Sequence, residues 1–199
     1  MKKDNTTLKN KLNLRRKALK ELCDSPYILE GYGGKGEVFK RLYTMFPGIV
    51  FEQNNKKIKI LAEQRQTWRI YESDCITSIK NGVCDELNLN FFDIDPYGDP
   101  WSAVDAILKS KIAFPQKIIF CINDGLRKKA QLGGAWSSKN LQEYAQKYGN
   151  SEIYKNYLKI CKEIMQKKAA EAEFKLSGWH GYYCGHNKSM THYAAILER

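Results

Sequence analysis

Residues 28–43 read ILEGYGGKGEVFKRLY. A short apolar run passes directly into four glycines and a lysine, and then into apolar residues at helical spacing. The order is strand, glycine turn, helix. In an open parallel sheet, ligands gather beyond the carboxyl ends of the strands, so a first turn made of glycine is expected to be a ligand loop. Gly33, Gly34 and Gly36 are read as positions of positive φ and close backbone approach to a ligand. The spacing departs from the G-x-G-x-x-G dinucleotide fingerprint and lacks the G-x-x-x-x-G-K-[ST] phosphate loop, so Lys35 is no phosphate-loop lysine.

Outward from this turn, strand-like runs alternate with helical ones. GIVFEQ (48–53) is followed by NKKIKILAEQRQ (55–66), and WRIYESD (68–74) by CITSIKN (75–81). LNFFDIDPYG (89–98) and KIIFCIND (117–124) are joined by the helical DPWSAVDAILKSK (99–111). Alternation of this kind predicts βαβ units and a mostly parallel sheet in an α/β fold. Residues 140–174 are polar, lysine-rich and helical. The final WHGYYCGHNKSMTHYAAILER (179–199) reads as an antiparallel hairpin around GHNKS.

The chain has 199 residues, which suits one domain with its own core. Its net charge of +11 and pI near 9.3 favour a polyanionic partner such as nucleic acid. No apolar run is long enough to cross a membrane, and the amino-terminal residues lack a signal peptide's apolar block, so a soluble cytoplasmic protein with no membrane partner is expected. The six cysteines form no C-x-x-C pair and read as reduced thiols; His180, Cys184, His186 and His192 match no zinc-finger spacing, and no metal is expected. Residues 1–24 are assigned to a basic amphipathic helix that either covers the sheet or meets phosphates, and residues 25–199 to the main domain. Arg15 and Arg16 in that helix, with Arg127, Lys128 and Lys129 beyond the fifth strand, are the candidate nucleic-acid contacts.

The turn spells E-x-Y-x-G-x-G from Glu30 through Tyr32 and Gly34 to Gly36. It resembles the first motif of the class I S-adenosylmethionine-dependent methyltransferases, often D-x-F-x-G-x-G in enzymes that modify nucleic-acid bases. Glu52 follows Glu30 at about the 20-residue separation at which an acid grips ribose hydroxyls in related sheets. Asp74 stands after the third strand, where such enzymes often meet the adenine amine. A carboxylate at a strand end also serves as a plain helix cap.

FFDIDPYGDPW (91–101) completes the set. Asp95-Pro96-Tyr97-Gly98 is similar to the D-P-P-Y and N-P-P-F motifs of amino-methyltransferases, and closest to the D-P-F-G of the tRNA guanine-N2 dimethyltransferases. An exocyclic amine is a poor nucleophile because its lone pair is delocalised, so acceptors must orient it. The Asp95 carboxylate and the Pro96 carbonyl suit that task, and the Tyr97 ring suits stacking on the base. The same residues also suit a turn that ends a strand and starts a helix. The resemblance implies a Rossmann-like methyltransferase sheet closing with an antiparallel hairpin, with S-adenosylmethionine as cofactor. It implies cofactor contacts at Glu30, Tyr32, Gly33, Gly34, Gly36, Glu52, Asp74 and Asp95, and catalysis at Asp95, Pro96 and Tyr97. The implied reaction is methyl transfer to an exocyclic base amine, with RNA preferred over DNA. A non-catalytic binding module of the same fold is the alternative. Tyr97 replaces the usual phenylalanine and Asp99 the usual serine, and the RNA-contacting carboxyl-terminal portion of the tRNA enzymes has no counterpart in these residues.

Overall fold

The computed structural model describes residues 6–22, 24–96, 98–131 and 138–199. Seven strands form one sheet in the order β3-β2-β1-β4-β5-β7-β6. The parallel strands are β1 (Ile28–Glu30), β2 (Gly48–Glu52), β3 (Arg69–Glu72), β4 (Phe91–Ile94) and β5 (Lys117–Asp124). The antiparallel pair β6 (Lys175–Cys184) and β7 (Met190–Glu198) closes the sheet, with β7 inserted between β5 and β6. The strand order reverses between β1 and β4, which places the ligand crevice at their carboxyl ends.

Side-chain alternation divides the sheet into two cores. On one face Leu29, Ile49, Phe51, Phe92, Ile94, Ile118 and Phe120 meet α3 (Cys75–Lys80), α4 (Trp101–Leu108) and α7 (Asn150–Glu171). On the other, Ile28, Val50, Phe91, Ile119, Cys121, Ala194 and Ile196 meet α1 (Thr6–Leu19) and Leu61 of α2 (Asn55–Gln64). Leu12, Leu14 and Ala18 of α1 are buried in this second core, so the basic amino-terminal helix covers the sheet. The short α5 (Arg127–Gln131) and α6 (Lys139–Tyr148) pack outside α7.

The helix expected after the glycine turn is only a five-residue π-helical turn, Phe39–Tyr43. Its length is limited by its neighbours: Phe39 and Tyr43 are pinned against Trp68 by aromatic contacts, at 5.1 and 6.3 Å between ring centres. Trp68 in turn lies where a side chain on Gly48 would stand, 2.4 Å from an ideal Cβ. The five described cysteines are buried thiols, none in a disulfide. Among the described residues no helix is long and apolar enough to cross a membrane.

Candidate functional site

The carboxyl ends of β1 to β4 surround a cavity of about 520 Å³. Gly31, Tyr32 and Gly34 come from the first turn, Glu52 and Gln53 from the end of β2, and Asp74 and Cys75 from the start of α3. Asp95, Pro96 and Asp99 follow β4, and Lys11 of α1 reaches in from the other side. A larger hollow of about 720 Å³ between α3 and α4 holds none of the motif residues.

The glycines of the turn have different reasons for being glycine. Gly34 has φ of +57° and no atom within 4 Å of where a Cβ would stand, so it presents bare backbone to the cavity. Gly33 is not at positive φ, against expectation. It is glycine because a Cβ there would meet Val50 at 2.5 Å and Leu61 at 2.8 Å. Gly36 is at φ +72° with Gln64 behind it, away from the cavity lining.

Glu52 fixes this loop. Its Oε2 accepts from the Gly34 amide at 2.9 Å and its Oε1 from the Asn54 amide at 3.0 Å, while Lys57 Nζ stands at 3.5 Å. Carboxylate oxygens offer about four lone-pair sites, so acceptor capacity remains for a ligand hydroxyl. Asp74 caps α3: its Oδ1 accepts from the Thr77 amide and hydroxyl, both at 2.8 Å, and its Oδ2 from Gln53 Nε2 at 3.0 Å. The capping reading of Asp74 is therefore realised, and the same carboxylate still borders the cavity. Burial, together with the nearby Cys75 and Asp74, pushes the Tyr32 phenol up, so its hydroxyl stays a donor.

Glu30 departs from the expected role. It is 5% exposed and absent from the cavity lining, because as the last residue of β1 it points to the α1 face. There it forms an ion pair of 2.5 Å with Arg65 at the end of α2. The Arg65 guanidinium lies against Phe39 and Trp68, and its donors are not aligned for a directional hydrogen bond. Burial, reinforced by the neighbouring Asp93, outweighs Arg65 and raises the Glu30 carboxyl.

Asp95 sits where the motif places it, at the mouth of β4, and its Oδ2 accepts from Lys11 Nζ at 2.7 Å. Burial alone would raise its pKa; Lys11 and Arg15 overcome that and hold the carboxyl below its ordinary value. Deeper on the same face, Asp93 receives Arg15 Nε at 2.6 Å and the Tyr43 hydroxyl at 2.7 Å. The spacings explain the match. Lys11 and Arg15 are one helical turn apart, about 6 Å along the axis, and Asp93 and Asp95 are two strand residues apart, about 6.6 Å. The two ion pairs fasten α1 along β4.

Arg15 is fully buried in its pair with Asp93, so it offers no donor to a phosphate, contrary to its assignment as a nucleic-acid contact. Arg127 is likewise committed inside the fold. It lies between the rings of Tyr154 and Tyr183, at 3.9 and 4.2 Å, and donates to the carbonyls of Tyr154 and Lys188. Arg16 and Lys128 are exposed, and Lys129 is half-buried. Tyr97 lies outside the described residues. Lys11 and Asp99 line the cavity without having been singled out for it. The signal for Lys11 was present in the matched i,i+4 and i,i+2 spacings. Among the described residues no cluster of His, Cys, Asp or Glu could hold a metal ion.

No protein-family model matches the sequence, and no curated protein does. Solved structures do resemble the fold. The chain aligns with TYW2 of M. jannaschii, crystallised in complex with AdoMet, at a TM-score of 0.60 and 9% identity over 96% of this chain and 77% of that one. It aligns with the putative methyltransferase yhhF from Escherichia coli at 0.57 and 7% identity, covering 96% and 86%. With the N-methyltransferase NodS from Bradyrhizobium japonicum the values are 0.56 and 12%, covering 100% and 99%. At such identities the likeness is one of architecture: the chain has the Rossmann-like fold of the class I methyltransferases.

Proposed function

We propose that this protein transfers a methyl group from S-adenosylmethionine to an exocyclic amine of a nucleic-acid base, with RNA favoured over DNA and guanine N2 as the leading acceptor. The observation that carries the reading is the cavity itself. The bare backbone of Gly34 and the carboxylates of Glu52 and Asp74 stand on one side, and Asp95-Pro96 on the other. These residues fit the cofactor. Glu52 has acceptor capacity for a ribose diol, Asp74 borders the position for an adenine amine, and Gly34 leaves space for the chain between them. When bound, the cofactor supplies the electrophilic methyl.

Asp95 would take an N–H of the substrate amine and turn its lone pair toward the cofactor, with the Pro96 carbonyl as second acceptor and Tyr97 stacking on the ring. The carboxylate already holds an amine, that of Lys11. The +11 charge supports a polyanionic substrate, with Arg16 and Lys128 as exposed cations and Lys129 half-buried. In a duplex the base would have to leave its stack. NodS is described as an N-methyltransferase and TYW2 as an AdoMet complex, in keeping with this chemistry.

Incubation with radiolabelled S-adenosylmethionine and separate pools of tRNA, rRNA, DNA and protein tests the reading. Label in RNA, released as a base methylated on its amino group, is the expected result. Cofactor and RNA binding without transfer to any pool would leave the binding-module alternative in its place.

A further inference from the structure

Beside Asp95 on the face covered by α1, Asn123 of β5 and His192 of β7 are register partners across the antiparallel pair. Asn123 is 1% exposed and His192 fully buried. Neither polar atom of the Asn123 side chain makes a directional hydrogen bond, and neither does His192 Nε2. The other imidazole nitrogen, Nδ1, is fixed by the Tyr182 hydroxyl at 2.8 Å, which sets the ring's orientation. Buried polar atoms without partners are costly, and here His192 Nε2 and the Asn123 amide oxygen are such atoms, while the Asn123 amide nitrogen faces the Asp95 carboxylate. The group meets the cavity through Asp95, the one of the three that lines it, with Asn123 and His192 buried behind. Asn123 is near enough to Asp95 to help hold its carboxyl down, and His192 feels the charges of Lys11 and Asp95.

We infer that Asp95, Asn123 and His192 form one polar subsite for an amino-substituted heterocycle, and that the Lys11 ammonium occupies its amine position in the free protein. The inference rests on the proposed function and deepens it. An amino group beside a ring nitrogen presents a donor next to a second polar atom, the edge that a carboxamide reads bidentately in base recognition. Asp95 takes the remaining amine N–H, and His192 Nε2 meets a further ring or carbonyl atom. Uracil has no amino group and offers a single ring N–H between two carbonyls, so it cannot give one N–H to the carboxamide and a second to Asp95. An anionic group is disfavoured by Asp95 and Asp93 behind it. Lys11 reaches Asp95 from a partly exposed side chain on α1, so it leaves toward solvent when a ligand amine arrives.

The test is nitrogen NMR on the full chain labelled in its three histidines and saturated with S-adenosylhomocysteine, titrated with guanosine, adenosine, cytidine and uridine. His192→Gln identifies the His192 ring signals. At least one amino nucleoside should move those signals, and uridine should not. Asn123→Ala should weaken that nucleoside about tenfold. Lys11→Met should tighten it several-fold by removing the internal competitor. Retained cofactor-product affinity shows that each variant is folded, and the isosteric Asn123→Asp serves if Asn123→Ala is not. An amino nucleoside that binds without moving His192, wild-type affinity in the Asn123 variants, or no binding at millimolar concentration in either wild type or Lys11→Met overturns the subsite. Those results alongside intact methylation of RNA would remove the subsite alone. Ligand-dependent shifts at His192 without methyl transfer to any acceptor would keep the subsite and remove the activity.

Discussion

Glu30 and Asp93 stand side by side, in register on the parallel strands β1 and β4, and both are buried. Two carboxylates so placed repel each other, and burial adds to the cost. Each is met by its own arginine from a different helical element: Arg65 at the end of α2 for Glu30, and Arg15 in the middle of α1 for Asp93. The acidic residue of the first motif therefore belongs to a buried charge network beneath the cavity, whereas Gly34, Glu52 and Asp74 line the cavity itself.

Arg15→Met leaves Asp93 buried without its cation, and breaking such a pair from one side costs about 3–5 kcal/mol. Urea unfolding should show a loss of that order, and Arg15→Met combined with Asp93→Leu should recover much of it. Arg16→Ala, one residue along but exposed, should stay within about 0.5 kcal/mol of wild type. Equal effects at the two arginines would contradict the buried pairing.

Glu52→Ala should weaken S-adenosylmethionine by about tenfold or more in calorimetry, the effect of losing a charge-assisted hydrogen bond and the clamp on Gly34. Glu30→Gln should lower the melting temperature while leaving cofactor affinity within a few-fold. The reverse pattern would restore Glu30 to the cofactor site.

Asp95→Ala should remove methyl transfer by about a hundredfold or more through lost orientation of the amine, with cofactor affinity little changed. Tyr97→Phe should keep much of the activity and Tyr97→Ala little, since only the ring stacks. Wild-type turnover in Asp95→Ala would refute the amine-orienting role.

If phosphate contacts dominate RNA binding, log affinity should fall with log salt by about 0.7–0.9 per phosphate engaged. Arg16→Ala and Lys128→Ala should each flatten that slope by about one contact. A slope near zero in wild type points away from a polyanionic acceptor.

Asp124 ends β5, fully buried, with hydrogen bonds from the Tyr157 and Tyr193 hydroxyls and the Leu126 amide. Burial raises its pKa to about 7 despite these partners. A carboxyl raised on folding favours the native state below its unfolded value near 3.8, and that advantage is lost as pH rises through about 7. Between about pH 4 and 7, the stability of wild type relative to Asp124→Asn should therefore fall with rising pH, at up to about 1.4 kcal/mol per unit. A flat difference, or one rising with pH, would show that Asp124 folds in ionised.

The strands, their order of appearance and the closing hairpin were legible because residue-type periodicity reports burial directly, as in FFDI (91–94) and KIIFCIND (117–124). Motif spacing singled out Glu52, Asp74 and Asp95, and the structure brings all three to one cavity. Glu30 shows where spacing stops. A motif gives the position along a strand, whereas the face is fixed by neighbours such as Asp93 and Arg65, far away in sequence. Gly33 was misread for a similar reason: its lack of a side chain answers Val50 and Leu61, partners that no local pattern names. Arg15 and Arg127 looked like surface cations because a count of charges cannot see a buried carboxylate or a pair of tyrosine rings.

The strand latest in sequence, β7, occupies an interior position between β5 and β6. On a growing chain β6 then has no neighbour to pair with, and β5 keeps an open edge, until Met190–Glu198 has been made. The core under helix α1 is completed at the same point, since Leu12 and Leu14 share it with Ala194 and Ile196 as well as with the earlier strands. Helix α1 precedes every strand of the sheet in sequence, yet part of its packing surface belongs to the last of them. Pairing at such sequence separation folds slowly. Part of the apolar surface that buries the Arg15–Asp93 pair is therefore supplied only by the late-made Ala194 and Ile196.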